Sequence, residues 1–521
     1  MNIRVGRFGG IFAAGAIAAL VLTGCASGTA ASSSDDAKPR SGGSITIARL
    51  GAEVTSLDPV PDTLTSNNAY TLDKVFDTLV VQNGKGEIEP RLASAYTTSA
   101  DGLTWTFTLR KDLTFSDGSA LTSADVAYSI QRHLDKGGAL PLSAPITAVT
   151  ATDPQTVTIT LSQPYSPLLA ELSTFSSGIV PKDLKGESEA AFFAAPVASG
   201  PFTVGNWDKA GGKITLKKNA DYWQHGKPYV DSVTYIVAGD DNQLAQLVKS
   251  GQAQIAEGIA PASVSDLQSA QNVHLLSTPS WNQDEIFFNT TTGPFADRSA
   301  RRAVAQAIDR AALAKNTTFG TATAGTTYIP STVQYSDQKA TVLGYSIDDA
   351  KKDLAAATSD TGKVTLLVES GSQSRDQQAQ VIQSQLGKIG ITVDIKSVDN
   401  ATFWTEFPAG NYQFALTTVI ADTSDPDNVT TWQVDGAGPS KAFHTGYNNP
   451  QVNELAAQGR ITPNGDARQK IYAQLQEIVA QDVPNLSLDY TAQSTATSTA
   501  VHGLTVVPNG TSLLDGVWLS K

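Results

Sequence analysis

The histidines of the chain are too scattered to form a metal site or a catalytic centre. No two of them have the i, i+4 spacing by which a helix presents two ligands to one metal ion. The five are His133, His225, His274, His444 and His502. The sequence also lacks a G-x-S-x-G turn, which exposes a nucleophilic serine, and a glycine-rich phosphate loop after any predicted strand. Since catalysis needs converging groups or a bound metal, we predict no catalytic residues, no metal and no cofactor.

Two aspartates have the spacing of ligands in a calcium-binding loop. Asp425 and Asp427 would be its first ligands, but Thr430 lies where such a loop needs glycine. No bidentate glutamate follows at the required distance. We therefore interpret Asp425 as a turn residue and not as a calcium ligand.

The composition and the charge exclude several classes of protein. The chain has 521 residues, with 37 lysines and arginines against 50 aspartates and glutamates, and a formal charge of −13. Nucleic-acid binding needs clustered basic side chains, so no nucleic-acid partner is expected. The length fits about two or three domains. The single cysteine excludes an intrachain disulfide framework and a thiolate zinc site.

Residues 1–24 are predicted to be a secretory signal. Arg4 and Arg7 form a short basic segment, and residues 9–22 are almost wholly apolar. As a helix this apolar run would rise only ~21 Å, short of the ~30 Å hydrocarbon core of a bilayer. The sequence Leu-Thr-Gly-Cys that ends at Cys25 resembles the bacterial lipobox, in which a lipid is attached to the cysteine. An ordinary signal peptide with a chance cysteine is the alternative.

The lipobox resemblance predicts a mature chain that begins at Cys25. Such a chain would be lipid-anchored at the extracytoplasmic face of the cell membrane. Residues 25–40 are rich in Ser, Ala, Gly and Asp and have no apolar periodicity, which indicates a flexible tether. The folded body is therefore expected to begin near Ser41.

Alternating strands and helices predict an α/β fold. Apolar residues alternate as in half-buried strands at 44–50, 104–110, 155–161 and 231–237. Further along the chain we expect a βαβ unit, with two parallel strands in one sheet. It consists of a strand at 363–369, a helix at 374–389 and a strand at 391–397.

Several helix starts are marked by side chains that accept backbone N–H groups. These are Thr122 with Asp125, Asp240, Asp297, Ser346 with Asp349, and Asn449 before Pro450. The helix from Pro450 is expected to end at Gly459, and the next helix to begin at Asp466.

A series of short sequences in a fixed order carries a resemblance to one family. The first group is DKVFDTLV (73–80), IEPRLA (88–93), DGLTWTFTLR (101–110), FSDG (115–118) and LTSADVAYS (121–129). The second group is SGPF (199–202), NADYW (219–223), KPYVD (227–231), FNT (288–290), PFADR (294–298), AIDR (307–310), DPD (425–427) and TGY (445–447). Together they resemble the family 5 extracellular solute-binding proteins of ABC transporters, the dipeptide and oligopeptide binders.

The resemblance implies a bilobal, periplasmic-binding-protein-like α/β clamp of type II, cluster C, with an extra domain inserted in the N-terminal lobe. Lobe I would comprise 41–82, 199–286 and 491–521, the inserted domain 83–198, and lobe II 287–490. A solute bound between the lobes would favour the closed state. The implied partners are a small peptide or similar solute, the transmembrane subunits of an ABC permease and, through the lipid, the membrane. The chain would be a monomer and not an enzyme.

The resemblance also implies a ligand-binding carboxylate. In the peptide binders an aspartate just ahead of an Asp-Pro-Asp-like segment pairs with the ligand's α-ammonium group, and Asp422 has the matching position. An ammonium group removed from water needs a charged, hydrogen-bonding partner. The alternative is that Asp422 caps a turn before Pro426. The other candidates are aromatic residues of the cleft: Trp281, Trp404 and Trp432.

Alternatives stay open for both the ligand and the class of protein. Residues 428–432 match the peptide binders only loosely, and the family also includes binders of nickel chelates, glutathione and sugars. A non-peptide solute is therefore the first alternative to a peptide. A surface-anchored hydrolase would need a convergent catalytic group, and a structural or adhesive lipoprotein would lack ligand-driven closure.

Overall fold

The structure is a computed structural model that describes residues 38–51, 53–62 and 66–520. The predicted signal peptide at 1–24, Cys25 and most of the predicted tether at 25–40 lie outside the described residues. None of the described helices is both long enough and apolar enough to cross a membrane.

The described residues contain fourteen α-helices. They are α1 (Ser66–Val75), α2 (Ser123–Lys136), α3 (Leu168–Glu171), α4 (Glu189–Phe192), α5 (Asp241–Lys249), α6 (Pro261–Gln268), α7 (Arg298–Ala307), α8 (Arg310–Thr317), α9 (Ile347–Ala356), α10 (Gln373–Gly387), α11 (Asn400–Glu406), α12 (Pro426–Gln433), α13 (Pro450–Ile461) and α14 (Asp466–Asp482). Three short 3-10 helices lie at Phe175–Ser177, Lys182–Gly186 and Pro294–Ala296.

The same residues form twenty-one strands. They are β1 (Ser44–Arg49), β2 (Val80–Gln82), β3 (Ile88–Pro90), β4 (Ala93–Thr98), β5 (Thr104–Leu109), β6 (Ile146–Asp153), β7 (Thr156–Leu161), β8 (Phe202–Asp208), β9 (Lys213–Lys218), β10 (Ser232–Val237), β11 (Ile255–Glu257), β12 (Val273–Phe288), β13 (Ala322–Ala324), β14 (Lys363–Glu369), β15 (Thr392–Val398), β16 (Phe414–Ile420), β17 (Asn485–Ser498), β18 (Val501–His502), β19 (Thr505–Val506), β20 (Ser512–Leu513) and β21 (Trp518–Leu519).

Eleven of these strands form one large sheet with two halves. Its order is β15-β14-β16-β12-β17-β11-β1-β10-β9-β8, and β13 pairs with β17. We call β1 and β8–β11 the N-terminal half of the sheet, and β14–β16 the C-terminal half. In the N-terminal half β1 is parallel to β10 and β11, and in the C-terminal half β14 is parallel to β15 and β16.

The two long antiparallel strands β12 and β17 join these halves. Val273 to Pro279 pair with Ser498 to Ala492, and after a register shift Gln283 to Phe287 pair with Tyr490 to Asn485. Beyond the shift β12 also pairs with β16 of the C-terminal half, whereas β17 pairs with β11 of the N-terminal half. Each half of the sheet has its own buried apolar cluster. The register shift therefore lies between two separately packed bodies.

A smaller four-stranded antiparallel sheet lies within the first part of the chain. Its order is β4-β5-β7-β6, and α2 packs on it. Phe107 of β5, Ile130 of α2 and Ile159 of β7 are buried in one apolar cluster. This sheet and its helix fall within 83–198, the range in which the sequence predicts an inserted domain, although the exact domain boundaries stay predictions.

The periodicity of the sequence predicts these strands well. The expected strands at 44–50, 104–110, 155–161 and 231–237 appear as β1, β5, β7 and β10, each one residue shorter at an end. The βαβ unit is confirmed, since β14 and β15 are parallel from Lys363 opposite Thr392 to Glu369 opposite Val398. Alternation works here because the strands bury one face and leave polar residues on the other.

The predicted helix starts are confirmed as well. Side chains of Asp240, Asp297, Ser346 and Asn449 each accept a backbone N–H of their helix's first turn. At α2 the carboxylate of Asp125 accepts the backbone N–H of Thr122 at 2.8 Å. These side chains partner N–H groups that a helix leaves unpaired.

The prediction that Gly459 ends its helix is wrong, because α13 continues to Ile461. Gly459 is buried, and a Cβ at this position would lie 2.9 Å from the ring of Tyr472 on α14. The glycine therefore permits the close packing of α13 on α14 and does not stop the helix.

Asp425 has a larger structural role than the predicted turn. Its Oδ1 accepts the N–H of Asp427 at 2.9 Å, as expected of a turn and helix cap. Both of its oxygens also accept from Arg468, whose Nη1 and Nη2 lie 2.6 and 2.8 Å away. The Arg468 side chain is fully buried, so the pair fixes the start of α12 against α14.

This ion pair leads to a prediction about stability. We expect Asp425→Asn to lower the free energy of unfolding by about 3–5 kcal/mol, because it removes the bidentate counter-charge of the buried Arg468 guanidinium. Asp394→Asn is the matched control, since Asp394 pairs with Lys363 at 2.9 Å on the exposed surface. Guanidinium titrations of both variants measure the difference. Equal stability of the two variants would contradict this role of Asp425.

Candidate ligand-binding site

A large cavity lies among residues from both halves of the sheet and from the inserted part of the chain. Its volume is about 1090 Å³, just above the usual range of small-molecule sites. The residues that line it are Gly51, Ala69, Tyr70, Asp73, Phe76, Asp77, Thr78, Val81, Gln82, Arg91, Leu140, Ser173, Thr174, Phe175, Glu369, Asn400, Trp404, Thr418, Ile420, Asp422, Val507, Asn509, Thr511 and Leu513.

The carboxyl ends of parallel strands bring several of these residues to the cavity. Gly51 follows β1, Glu369 ends β14 and Ile420 ends β16. In open α/β sheets, ligands bind outside the carboxyl ends of the strands. Asp422 follows β16 by two residues and therefore lies at this edge.

Asp422 is held in place mainly through its main chain. Its N–H donates to Oδ1 of Asn428 at 3.0 Å, and its carbonyl oxygen accepts from Nε2 of Gln82 at 3.3 Å and Nδ2 of Asn509 at 3.4 Å. Gln82 and Asn509 belong to β2 and the C-terminal segment, so three separate parts of the chain meet at this residue.

The Asp422 carboxylate has a weak set of partners. Oδ2 accepts from Nδ2 of Asn428 at 3.3 Å, and no basic side chain of the described residues forms an ion pair with it. Burial raises the pKa of Asp422 above its ordinary value, and the hydrogen bond from Asn428 offsets this only in part. A cation that entered the cavity would therefore find a carboxylate with little competing charge nearby.

Trp404 is the predicted aromatic residue that lies on the cavity wall with Asp422. Its side chain is 39% exposed, and Ile420 beside it on the wall is 38% exposed. The ring of Trp404 packs against Phe403, Phe407 and Phe443, with centroid distances of 5.5 to 5.9 Å. Apolar surface left open on a concave wall is typical of a ligand site.

A strained turn lies behind this aromatic wall. Lys441, Ala442, Phe443 and His444 all have positive φ, between 48° and 64°. Residues with a Cβ disfavour this conformation by about 1–2 kcal/mol each. The turn directs Phe443 between Trp404 and Phe287, with centroid distances of 5.9 and 4.9 Å. Strain of this kind is found where a structure fixes a binding surface.

The other two predicted tryptophans lie elsewhere. Trp432 lines a smaller adjoining pocket of about 40 Å³, whose wall also includes Asp422. Trp281 is fully buried in an apolar cluster with Tyr328 and Val429. The structure therefore has Asp422 and Trp404 on one cavity wall and Trp432 in the adjoining pocket, and does not bring Trp281 to the cavity.

Four charged residues of the cavity wall were not predicted as site residues. They are Asp73, Asp77, Arg91 and Glu369. Glu369 could have been found, since it is the last residue of a predicted strand in a parallel sheet. The first three lie in the sequences that resemble the family, but nothing in the sequence separates residues of the wall from residues of the scaffold.

Two of these residues form one hydrogen-bonded group with two aromatic residues. Asp77 Oδ1 accepts from Nε of Arg91 at 2.9 Å, and its Oδ2 accepts from the Tyr222 hydroxyl at 2.9 Å and the Trp223 Nε1 at 2.8 Å. Tyr222 and Trp223 thus orient a charged residue of the wall.

Asp73 has a separate partner on the same helix. Its carboxylate pairs with Nζ of Lys74 at 2.5 Å. Burial raises the pKa of Asp73 to about 6, and the charge of Lys74 opposes this rise.

The arrangement of the cavity is suited to hold a polar solute with one positive group. Its wall combines an Asp422 carboxylate without a cation, amide and hydroxyl groups, and exposed apolar surface. Among the described residues, no three histidine, cysteine, aspartate or glutamate side chains are arranged to hold a metal ion.

Comparison with known proteins identifies the family. The sequence profile of the "Bacterial extracellular solute-binding proteins, family 5 Middle" matches residues 87–441. The glutathione-binding protein GsiB of Escherichia coli K12 is 29% identical to this chain over 478 residues, which covers 89% of this chain and 92% of that protein.

Solved structures agree with the predicted fold. The periplasmic binding protein DppA of Helicobacter pylori, in complex with the peptide STSA, has a TM-score of 0.81 and 26% identity, with 92% of this chain and 99% of that chain covered. The binding protein AgaA of A. tumefaciens R10, in complex with agropinic acid, has a TM-score of 0.79 and 28% identity, with the same coverage. The predicted type II periplasmic-binding-protein clamp is thereby confirmed. With the family profile matching well over half of its length, the chain belongs to the family 5 bacterial extracellular solute-binding proteins, the solute-binding components of ABC importers.

Proposed function

We propose that the chain captures short peptides in this cavity, with the ligand's α-ammonium group bound by Asp422, and passes them unaltered to the permease of an ABC importer. The observation that carries the proposal is the Asp422 carboxylate, which lies on the cavity wall without a cationic partner. A carboxylate removed from water is costly unless a charged or hydrogen-bonding partner faces it. The ammonium group of a peptide supplies that partner.

The rest of the wall supports a peptide ligand. Amide side chains of Gln82, Asn400 and Asn509 and the hydroxyl group of Thr511 offer hydrogen bonds to peptide groups. The hydroxyl oxygen of Thr78, which donates to the Val80 carbonyl, can accept a further one. Trp404 and Ile420 offer apolar contact to a ligand side chain. Such a wall tolerates different side chains, because main-chain groups and one terminus of the ligand carry most of the recognition.

Closure of two lobes around the solute is the proposed mechanism of capture. Gln82 and Asn509 donate to the carbonyl oxygen of Asp422 across the cavity. Away from the cavity, Ser166 of the inserted part contacts α13, with its N–H donating to the Arg460 carbonyl at 2.7 Å. A solute that touches both sides would stabilise this closed arrangement by its differential contacts. The lobe boundaries that the sequence predicts belong to this proposal.

Glutathione is the second candidate solute. The relative GsiB binds glutathione, as its name states, and glutathione also has an α-ammonium group that Asp422 could receive. A thermal-shift experiment separates these classes of solute. A bound ligand stabilises the folded state by RT ln(1 + [L]/Kd) and so raises the melting temperature. The compounds tested are di- to hexapeptides, glutathione, a nickel–histidine chelate and an oligosaccharide. Mass spectrometry of the recovered ligand distinguishes a binding protein from a hydrolase.

Attachment to the membrane through Cys25 is a further part of the proposal. It rests on the lipobox sequence at 22–25 and on the extracellular character of the family. An N-terminal diacylglycerol anchor would keep the binding protein near the permease.

The first prediction concerns Asp422. We expect Asp422→Asn to weaken the binding of trialanine by about 30–150-fold, because it removes a charge-assisted hydrogen bond with little change of shape. Isothermal titration calorimetry measures the affinity, and Asp394→Asn is the control with the same chemical change on the exposed surface. Equal affinity of Asp422→Asn and wild type would exclude Asp422 from the ammonium role.

The second prediction concerns pH. Only ionised Asp422 pairs with an ammonium group, so affinity falls as pH falls through the pKa of Asp422, which burial raises above its ordinary value of about 4. Affinity also falls above about pH 8, where the peptide ammonium loses its proton. Titrations from about pH 4 to about pH 9 should therefore give a maximum between these limits. A profile that stays flat at the acidic end would contradict the ion pair.

The third prediction concerns Cys25. The full chain is expressed in a bacterium that has the lipoprotein enzymes and is labelled with radioactive palmitate. We expect the wild-type protein to be labelled and membrane-bound. The Cys25→Ser variant should be unlabelled and absent from the membrane fraction. Palmitate labelling that survives Cys25→Ser, or a wild-type protein without label, would contradict the lipid anchor.

A further inference from the structure

The distribution of charge on the cavity wall constrains which solutes it accepts. Among the described residues, four acidic side chains and one basic side chain line the cavity. The acidic residues are Asp73, Asp77, Glu369 and Asp422, and the basic residue is Arg91. A charged side chain that already has an oppositely charged partner within the protein is not available to pair with a ligand.

Three of the four acidic side chains have a cation of their own. Asp73 pairs with Lys74 at 2.5 Å and Asp77 with Arg91 at 2.9 Å. Glu369 lies 3.6 Å from Arg375, and its two oxygens also accept hydrogen bonds from Asn400 and Thr417. Asp422 alone among them lacks such a cation. The wall therefore offers a ligand one uncompensated negative charge.

Arg91 is occupied by carboxylates on two sides. Its Nε donates to Asp77 at 2.9 Å and its Nη1 donates to Asp515 at 3.4 Å. The rings of Tyr222 and Trp223 lie 5.8 and 5.9 Å from its guanidinium group. A ligand carboxylate that approached Arg91 would meet the negative charge of Asp77, which shares the wall. Arg91 is thus not free to receive an anion.

A second arginine near the cavity lies behind the wall. The Arg49 side chain is 4% exposed, and its guanidinium lies 3.9 Å from the ring centroid of Tyr235 and 5.4 Å from that of Tyr70, a wall residue. Its Nε is 3.7 Å from the Glu257 carboxylate. Arg49 is therefore covered and has a counter-charge within the protein.

We infer that the cavity recognises the positive end of its solute and leaves the carboxyl end unclamped. The solute class is neutral or cationic ammonium-bearing peptides, including those extended or amidated at the C-terminus, in preference to di-acids such as glutathione. This inference rests on the proposed function, since it takes Asp422 as the receiver of the ammonium group. Glutathione has two carboxylates for its one ammonium group, and each carboxylate would lose water without gaining an uncompensated cation.

Four probes test this inference by isothermal titration calorimetry on the wild-type protein. They are trialanine, trialanine amide, N-acetyl-trialanine and glutathione. We expect trialanine amide to bind within about 3-fold of trialanine, and glutathione to bind at least about 10-fold more weakly than either. An amide that binds more than about 10-fold more weakly than the free acid, or glutathione that binds as tightly as trialanine, overturns the inference.

N-Acetyl-trialanine separates this inference from the proposed function. If both N-acetyl-trialanine and trialanine amide fail to bind, Asp422 keeps its role as the receiver of the ammonium group. Only the inference that the carboxyl end is unclamped would then be overturned. Equal binding of the acetylated and free peptides, or no binding of trialanine in any form, would contradict the proposed function and the inference with it.

Two variants test the role assigned to Arg91. Asp77→Asn and Asp515→Asn each remove one of the carboxylates that neutralise it, so each should improve the affinity for trialanine relative to its amide by at least about 3-fold. Asp77 also accepts hydrogen bonds from Tyr222 and Trp223, so its substitution could impair folding. Asp515→Asn is therefore included, because it leaves those two hydrogen bonds in place. A ratio unchanged in two folded variants would overturn the part of the inference that gives the pairing of Arg91 as the reason for the unclamped carboxyl end.

Discussion

A carboxylate that faces a closed cavity without a cation links the binding of the solute to the closure of the protein. Water stabilises such a group in the open state, and closure removes that water. The proposed function gives Asp422 this role, since the residue lines the cavity and its carboxylate accepts one hydrogen bond, of 3.3 Å, from Asn428. If Asp422 binds the ammonium group as proposed, the ligand supplies the missing charge in the closed state, and capture of the solute and closure become one event.

Ion pairs among the neighbouring residues hold the segment around Asp422 in place. The bidentate pair of Asp425 with the buried Arg468 fixes the segment that follows Asp422. Arg460 pairs with Asp427 at 3.0 Å in the same segment. The main chain of Asp422 is held from the opposite side by Gln82 and Asn509. A rigid main chain with an unpaired side chain is the arrangement that preorganises a binding site.

The antiparallel pair of β12 and β17 connects the two sides of this site. These are the longest strands of the large sheet, and their register shifts between Pro279 and Gln283, where the sheet passes from one half to the other. Separate apolar clusters lie on either side of this shift, and the fully buried Trp281 lies within it. The proposed closure would move these two separately packed halves relative to each other.

Local patterns in the sequence predict the helices and strands, because alternation, caps and turns depend on neighbouring residues. The βαβ unit at 363–398 and the cap at Asp240 are examples. The prediction for Gly459 is wrong because its role depends on Tyr472 of another helix, which no local pattern reveals. Similarly, Trp281 and Trp404 look equivalent in sequence, and only the packing of distant segments buries one and exposes the other. The charge pairs of the cavity wall are close in sequence, as in Asp73 with Lys74 and Glu369 with Arg375. They were not predicted because no local pattern shows which charged residues the fold brings to the wall.

The most direct measurement is a cycle of four dissociation constants, for wild type and Asp422→Asn, each with trialanine and N-acetyl-trialanine. If the ammonium group and Asp422 contact each other, acetylation weakens binding strongly in wild type and only slightly in the variant, so that the two changes are far from additive. If acetylation costs the same affinity in both proteins, the two groups do not interact, and Asp422 is not the residue that couples the solute to closure.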